Sequence, residues 1–471
     1  MDIAAGTRRW LRLAPLVASI APPALIAWTV WQSALNVPFL DDWQLVPLLE
    51  KAQAHTLGIG DFWAQHNEHR PVLAKVVLLA LARITAWDIR WELAANVAVA
   101  LLTLAVLATL IARTTREVSV ELSSWLLFGA SLLTFSLVQW QNWLWGWQLQ
   151  VFMTALAACL TVWVIDRFGV RGPGPALALA AATMGALSFA SGLLLFVIVP
   201  LGLALDPRGA GARKGWAVGL TALAGAAIGA TYLVGLAHPP QHPSVAAALS
   251  QPLALVEFVL AYLGAPLGMG VYLLTRETPV AALTNAIVGA IGLAALAAGA
   301  AWLLSRAPNA RRAIQPWLLL ALYAVMSGVM TGVGRLGSGL NQALASRYTT
   351  ISTLFWVSIL VVVALAVTDA LRDPSRRSRR ALIGGLAVAG ALVLGLGYQA
   401  SSAFSGRLIV AYTDGVRLGG ECLRFHPIAP DPCLKLLNPE VDVLRDHARR
   451  LEALGLGPFA PGRVARGAAA R

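Results

Sequence analysis

Several stretches of this chain run for about eighteen residues or more without a charged side chain, and no other property narrows its possible folds so far. In a hydrocarbon core every backbone N–H and C=O must find its partner within the protein, so such a run crosses as a helix or as part of a closed barrel. The alternating segments of about ten residues that mark barrel strands are missing, which predicts an all-α polytopic membrane protein. Composition agrees, with 58% of residues hydrophobic and 13% charged, where soluble domains carry about a quarter charged residues. The net charge of +13 needs no nucleic acid to explain it. The basic residues stand in short clusters between apolar runs, the pattern that orients membrane helices in a lipid bilayer.

Positive-inside logic puts Arg8, Arg9 and Arg12 in the cytoplasm and sends a first span outward over about 13–35, longer than a signal-peptide core. A first outer loop follows over 36–90, in which Pro71 to Trp87, carrying Lys75 and Arg83, reads as an interfacial, juxtamembrane helix. Further spans are expected near 91–112, 122–138 and 149–165, then a short tilted pair meeting at the break Ser188–Gly192, then 216–236, 281–304, 314–333, 351–367 and 381–398. The stretch 245–275, with Pro252, Glu257 and Pro266, reads as re-entrant or surface-lying, which keeps Arg306, Arg311 and Arg312 inside. The basic cluster Arg372, Arg376, Arg377, Arg379 and Arg380 anchors the last span in the cytoplasm. Roughly eleven transmembrane helices result: a transmembrane domain over 1–400 and a short extracytoplasmic tail over 401–471, in which Cys422 and Cys433 can form a disulfide. The expected location is a bacterial plasma membrane, with the amino terminus cytoplasmic and the carboxyl terminus outside.

Those flanks and lengths take no account of the unusual polar residues, yet these fall on one side. Asp41 and Asp42, the His66-Asn67-Glu68-His69-Arg70 cluster, the stretch Gln139 to Gln150, the proline loop from His238 to Pro243, and Arg335 and Arg347 all emerge at the outer face. The spans are almost free of ionisable groups, which counts against an ion-driven transporter. A surface carboxylate can serve as general base, with Asp42 the first candidate and Asp41 the second; an adjacent pair can also take a divalent cation. The same pair can simply cap the helix that starts near Trp43. Arg70 has the planar fork that suits a phosphate, and His66 and His69 can protonate or hold an oxygen; the cluster can equally be a polar helix start before Pro71. Trp140, Trp143, Trp145 and Trp147, interleaved with Gln141 and Asn142, suit stacking on sugar faces or an interfacial aromatic belt. Arg335 and Arg347 flank a glycine-rich loop and either contact phosphate or snorkel to headgroups.

The exit of the first span at Asp41-Asp42, followed by Glu68-His69-Arg70-Pro71 opening an amphipathic helix, resembles the GT-C superfamily of polytopic glycosyltransferases, of the protein O-mannosyltransferase and aminoarabinose transferase types. The resemblance implies a GT-C-like helical bundle and a polyprenyl-phosphate-linked sugar as donor, passed to an extracytoplasmic acceptor that is a glycan, lipid or protein. It makes Asp42 or Asp41 the base, Glu68 a helper acid and Arg70 a contact of the donor phosphate, with His66, His69, Arg335 and Arg347 beside it. The motif covers about the first 110 residues, and the family's large carboxyl-terminal domain is missing or reduced to about 70 residues. Direct displacement at the anomeric carbon inverts it. A transporter or flippase of a lipid-linked glycan, or a glycan polymerase or ligase, are the competing readings: the first needs a polar path through the spans, the second a large later outer loop.

Overall fold

The structure, a computed structural model, describes residues 14–239, 243–306, 310–373 and 378–461. Arg8, Arg9 and Arg12, the loop residues Pro240 to His242, and Arg376 and Arg377 lie outside the described residues. Apart from an isolated bridge between His66 and His69, the described residues form helices, turns and loops.

The long elements are α1 (Ala14–Ser33), α4 (Arg90–Thr114), α5 (Val120–Thr134), α7 (Leu149–Phe168), α10 (Gly211–Leu233), α11 (Pro252–Gly268), α12 (Thr278–Arg306), α13 (Ala310–Arg335), α14 (Thr349–Arg372) and α15 (Arg380–Leu423). Between them lie α2 (Val46–Gln53) and α3 (Val72–Thr85) in the first loop, α6 (Trp140–Leu144), the short apolar pair α8 (Gly174–Ala186) and α9 (Leu195–Leu205), and, last in the chain, α16 (Val441–Leu454). Among the described residues, ten helical segments are long and apolar enough to cross a membrane.

Ion pairs mark the two faces of the bundle. At one, Arg113 of α4 meets Asp166 of α7 at 2.5 Å, Arg208 meets Asp206 at 2.8 Å, Arg306 of α12 pairs with Asp373, and Arg372 of α14 donates to Val118 O. This is the arginine face. The other carries residues 36–90 and is the loop face; there Arg70 donates to Tyr232 O and Val234 O at the end of α10, and Glu68 pairs with Arg335 at the end of α13.

Helices α8 and α9 are too short for a full crossing at 1.5 Å per residue, so they meet inside the bundle at the break over Leu187–Leu194. Gly192 makes that meeting possible, because a Cβ there would stand 2.0 Å from the carbonyl carbon of Gly185. Helix α11 is apolar enough to span, yet it lies across the bundle as a surface-lying or re-entrant element does. Leu255 and Phe258 near its start touch Gly332 of α13, while just past its end Gly270 N donates to Ser401 Oγ of α15 at 3.0 Å. Gly332 and Ser401 each lie about 30 Å along their helices from the arginine face, so both ends of α11 sit at similar depth. The other nine long helices then cross, and the short pair leaves and returns to the arginine face.

Helix α15 departs from expectation. No proline interrupts it after Tyr398, and it runs on to Leu423, about 66 Å in all and twice the hydrocarbon thickness. Its protruding end and the chain beyond are not a separate tail. Val416, Leu423, Leu434, Leu437, Leu444 and Leu451 share one apolar cluster with Trp43, Leu45, Leu49, Leu78 and Trp87 of the first loop. Helix α16 supplies Val441, Leu444, Ala448 and Leu451, a helical spacing that puts all four on one face. Backbone bonds stitch the two pieces, Leu40 N to Leu437 O at 2.8 Å and Gly457 N to Ala86 O at 2.9 Å. The expected disulfide between Cys422 and Cys433 forms, and position 400 falls inside the continuous helix α15.

Candidate active site at the loop face

The two neighbouring acids go to different places. Leu40 takes a left-handed backbone, φ 47°, and the chain turns into a short 3-10 helix over Leu40–Leu45. Asp42 faces inward at 1% exposure. One carboxylate oxygen accepts from Phe39 N at 3.0 Å, capping its own turn, and the other from Trp147 N at 3.1 Å. Burial raises its pKa to about 7, against the opposing pull of those two N–H groups and with help from the charge of Asp41. Asp41 faces outward, one third exposed, with Oδ2 3.5 Å from Nε2 of His66. The first-choice base is thus a buried scaffold group, and the second choice is the acid that a substrate can reach. They do not converge on a cation: Asp42 spends both oxygens on N–H groups, and the described residues place no group of three or more metal-ligating side chains together.

The cluster from His66 to Arg70 is a tight turn, not the helical face that would aim two histidines at one metal. His66 N donates to His69 O and His69 N to His66 O, with Asn67 left-handed at φ 48°. The His66 ring packs edge-on against Trp147 and the His69 ring lies against Phe189 of the α8–α9 break, both at 4.7 Å between centroids. His69 is buried, which drives its pKa well below the usual value, and its Nε2 lies 2.9 Å from Gln150 Oε1. It is therefore a neutral, fixed ring. Glu68 meets Arg335 at 3.0 Å, both about a quarter exposed.

Arg70 is not available to a phosphate as expected. At 5% exposure its guanidinium donates to the carbonyls of Trp63, Tyr232 and Val234 at 2.6–3.0 Å, and its backbone N–H to Tyr232 Oη. It ties the first loop to the end of α10. Lys75, also buried, donates to Asp61 O and Ala64 O and holds the same segment.

The tryptophan stretch is packed, not displayed as a sugar-stacking surface or a belt. Trp143, Trp145 and Trp147 are at most 5% exposed, and Trp143 stacks on Phe135. Trp140, partly exposed, leans on Tyr412. Asn142 is fully buried and donates to Arg347 O and Thr350 Oγ1, while Gln141 Oε1 accepts from Arg347 N. The stretch is a keystone, with Asp42 bonded to one end of it and the Arg347 segment to the other. Arg347 itself is half-buried, over the ring of Tyr348 and 3.4 Å from Gln342 Oε1.

Of the site residues expected from the sequence, Asp41, His66, Glu68, Arg335 and Arg347 are the charged or titratable side chains left partly open. Phe189 and Glu92 were not singled out from the sequence. The only signal for Phe189 is the Ser188–Gly192 break, and for Glu92 a lone acid opening a span; it is buried, accepts from Trp87 Nε1 at 2.9 Å, and stands where any Cβ on Gly146 would collide with it.

No protein-family model matches the chain, and no curated protein does. Among solved structures the chain is similar to the crystal structure of ArnT from Cupriavidus metallidurans bound to undecaprenyl phosphate, at 14% identity over 95% of this chain and 78% of that one, with a TM-score of 0.40. A likeness that distant carries no information about chemistry.

Proposed function

We propose that this protein is a membrane glycosyltransferase that moves a sugar from a polyprenyl-phosphate donor to an acceptor hydroxyl at the loop face, the extracytoplasmic side. The observation that carries the reading is that Asp41 and His66, Glu68 with Arg335, and Arg347 come from widely separated parts of the chain and share one face. The resemblance of the first loop to GT-C enzymes names the reaction.

In that reaction Asp41 takes the proton of the acceptor hydroxyl, which attacks the anomeric carbon as the bond from that carbon to the phosphate oxygen breaks. The polyprenyl phosphate leaves with the bonding pair. Its growing charge falls to Arg335 and Arg347, guanidiniums with N–H groups to spare beyond Glu68 and Gln342. A single displacement inverts the anomeric centre. His66 orients Asp41, and neutral His69 holds the turn against Gln150. Purified protein offered a panel of polyprenyl-phosphate sugars and hydroxyl acceptors should release polyprenyl phosphate, and Asp41→Asn should slow that release by about 10²–10⁴-fold while the protein stays folded. Release that is undiminished in Asp41→Asn, or absent across the whole panel, overturns the reading.

A further inference from the structure

We infer that the carboxyl-terminal segment over 422–461 is a positioning element of the acid loop, latched by the Cys422–Cys433 disulfide, so that the geometry of Asp41 depends on thiol redox state. The activity part of this inference rests on the proposed function; the conformational part does not.

Three contacts place the segment and α15 against the residues just before Asp41. Val37 lies against Gly420, where a Cβ would stand 2.7 Å from Val37 Cγ2. The ring of Phe39 packs edge-on against Tyr412 at 5.0 Å. Leu40 N donates to Leu437 O at 2.8 Å, and that bond falls on the residue whose left-handed backbone turns Asp41 toward His66 and Asp42 inward. A residue other than glycine, asparagine or aspartate rarely adopts that conformation unless its surroundings hold it. Leu437 is fully buried, against Gly419 of α15, one turn of chain after Cys433. The disulfide therefore joins the last turn of α15 to the piece of chain that presents the Leu437 carbonyl.

Opening the latch is thiol–disulfide exchange: a dithiol reductant gives two electrons, the S–S bond breaks to two thiols, and the reductant leaves as its own disulfide. Leu437 then loses its covalent tie to α15 and keeps its packing and hydrogen bonds, and the turn that Leu40 takes against its carbonyl loosens. Arg335 and Arg347 are anchored elsewhere, by Glu68 and by Gln141 and Asn142, and keep their places. Turnover should fall with the donor KM unchanged.

The test is hydrogen exchange on the full-length protein in detergent, with and without dithiothreitol, the state of the disulfide being checked by mass. Peptides over 37–45 should exchange about tenfold faster once it is open, while peptides over 332–348 stay as they were. The double variant Cys422→Ser/Cys433→Ser should exchange fast at the outset and ignore the reductant. In the transfer assay, reduction should lower kcat by about tenfold at constant donor KM, and reoxidation should restore it. Unchanged exchange over 37–45 with the disulfide open overturns the inference, and so does unchanged turnover in a protein that transfers sugar. Faster exchange in a protein that transfers nothing in either redox state supports the latch and removes the proposed function instead.

Discussion

Asp41 and Asp42 are neighbours with opposite fates, and replacing each by its amide separates a chemical role from a structural one. Asp41→Asn should lower turnover by about 10²–10⁴-fold, the usual worth of a general base, and leave the apparent melting temperature where it is. Asp42→Asn should do the reverse in kind. An amide nitrogen cannot accept from Phe39 N or Trp147 N, so one buried N–H loses its partner at a cost of about 1–3 kcal/mol. The pH dependence has a definite sign. Asp42 has a pKa near 7 in the fold against an ordinary 3.8, so between those values the folded state keeps a proton that the unfolded chain has lost. Its contribution to stability is full below about pH 4 and is lost as pH rises toward 7. The amide variant has no such proton, and the gap between it and the parent should narrow from pH 5 to pH 8 in thermal unfolding; a widening gap would refute the assignment. Sequence alone pointed to the acid pair but put the buried member first. Adjacent residues in a 3-10 turn point in different directions, and only the left-handed Leu40 and the partner N–H of Trp147, over a hundred positions away, decide which one is buried.

At the scale of elements, spans were readable because each is a long local signal. The short pair was readable because a break flanked by two basic clusters requires an even number of crossings. What escaped local reading was partnership. Arg70 in a polar loop looks like a phosphate ligand until the carbonyls of Tyr232 and Val234 arrive from α10, and tryptophans near a span end look like a belt until α15 packs on Trp140 and Trp143. Arg70 as a clamp predicts that Arg70→Met loses three charge-assisted bonds inside the protein. The apparent melting temperature should drop by several degrees, with the donor KM of the surviving folded fraction unchanged, whereas a phosphate ligand would raise that KM at constant stability. The short pair gives an independent check. Gly192→Val cannot be accommodated, since its Cβ would overlap the backbone of Gly185, and the yield of folded protein in detergent should collapse.

For the molecule as a whole, the loop-face residues form one surface only if every crossing between them has the right parity, and α11 is where that parity is decided. By composition α11 is a span, and counting it as one would reverse every helix after it and put Arg335, Arg347 and the Cys422–Cys433 segment on the opposite side from Asp41. Its contacts forbid this, because its two ends touch Gly332 and Ser401 at similar heights above the arginine face. Single cysteines in a background with Cys159, Cys422 and Cys433 replaced, placed at exposed positions near each end of the helices and probed in sealed vesicles with an impermeant maleimide, read the parity directly. Positions 59 and 428 should label from one side, and 116, 213 and 311 from the other, with the basic set cytoplasmic by its charge. Labelling of 59 and 428 from opposite sides would separate Asp41 from the segment that holds its turn, and no single active site could then be built from this chain.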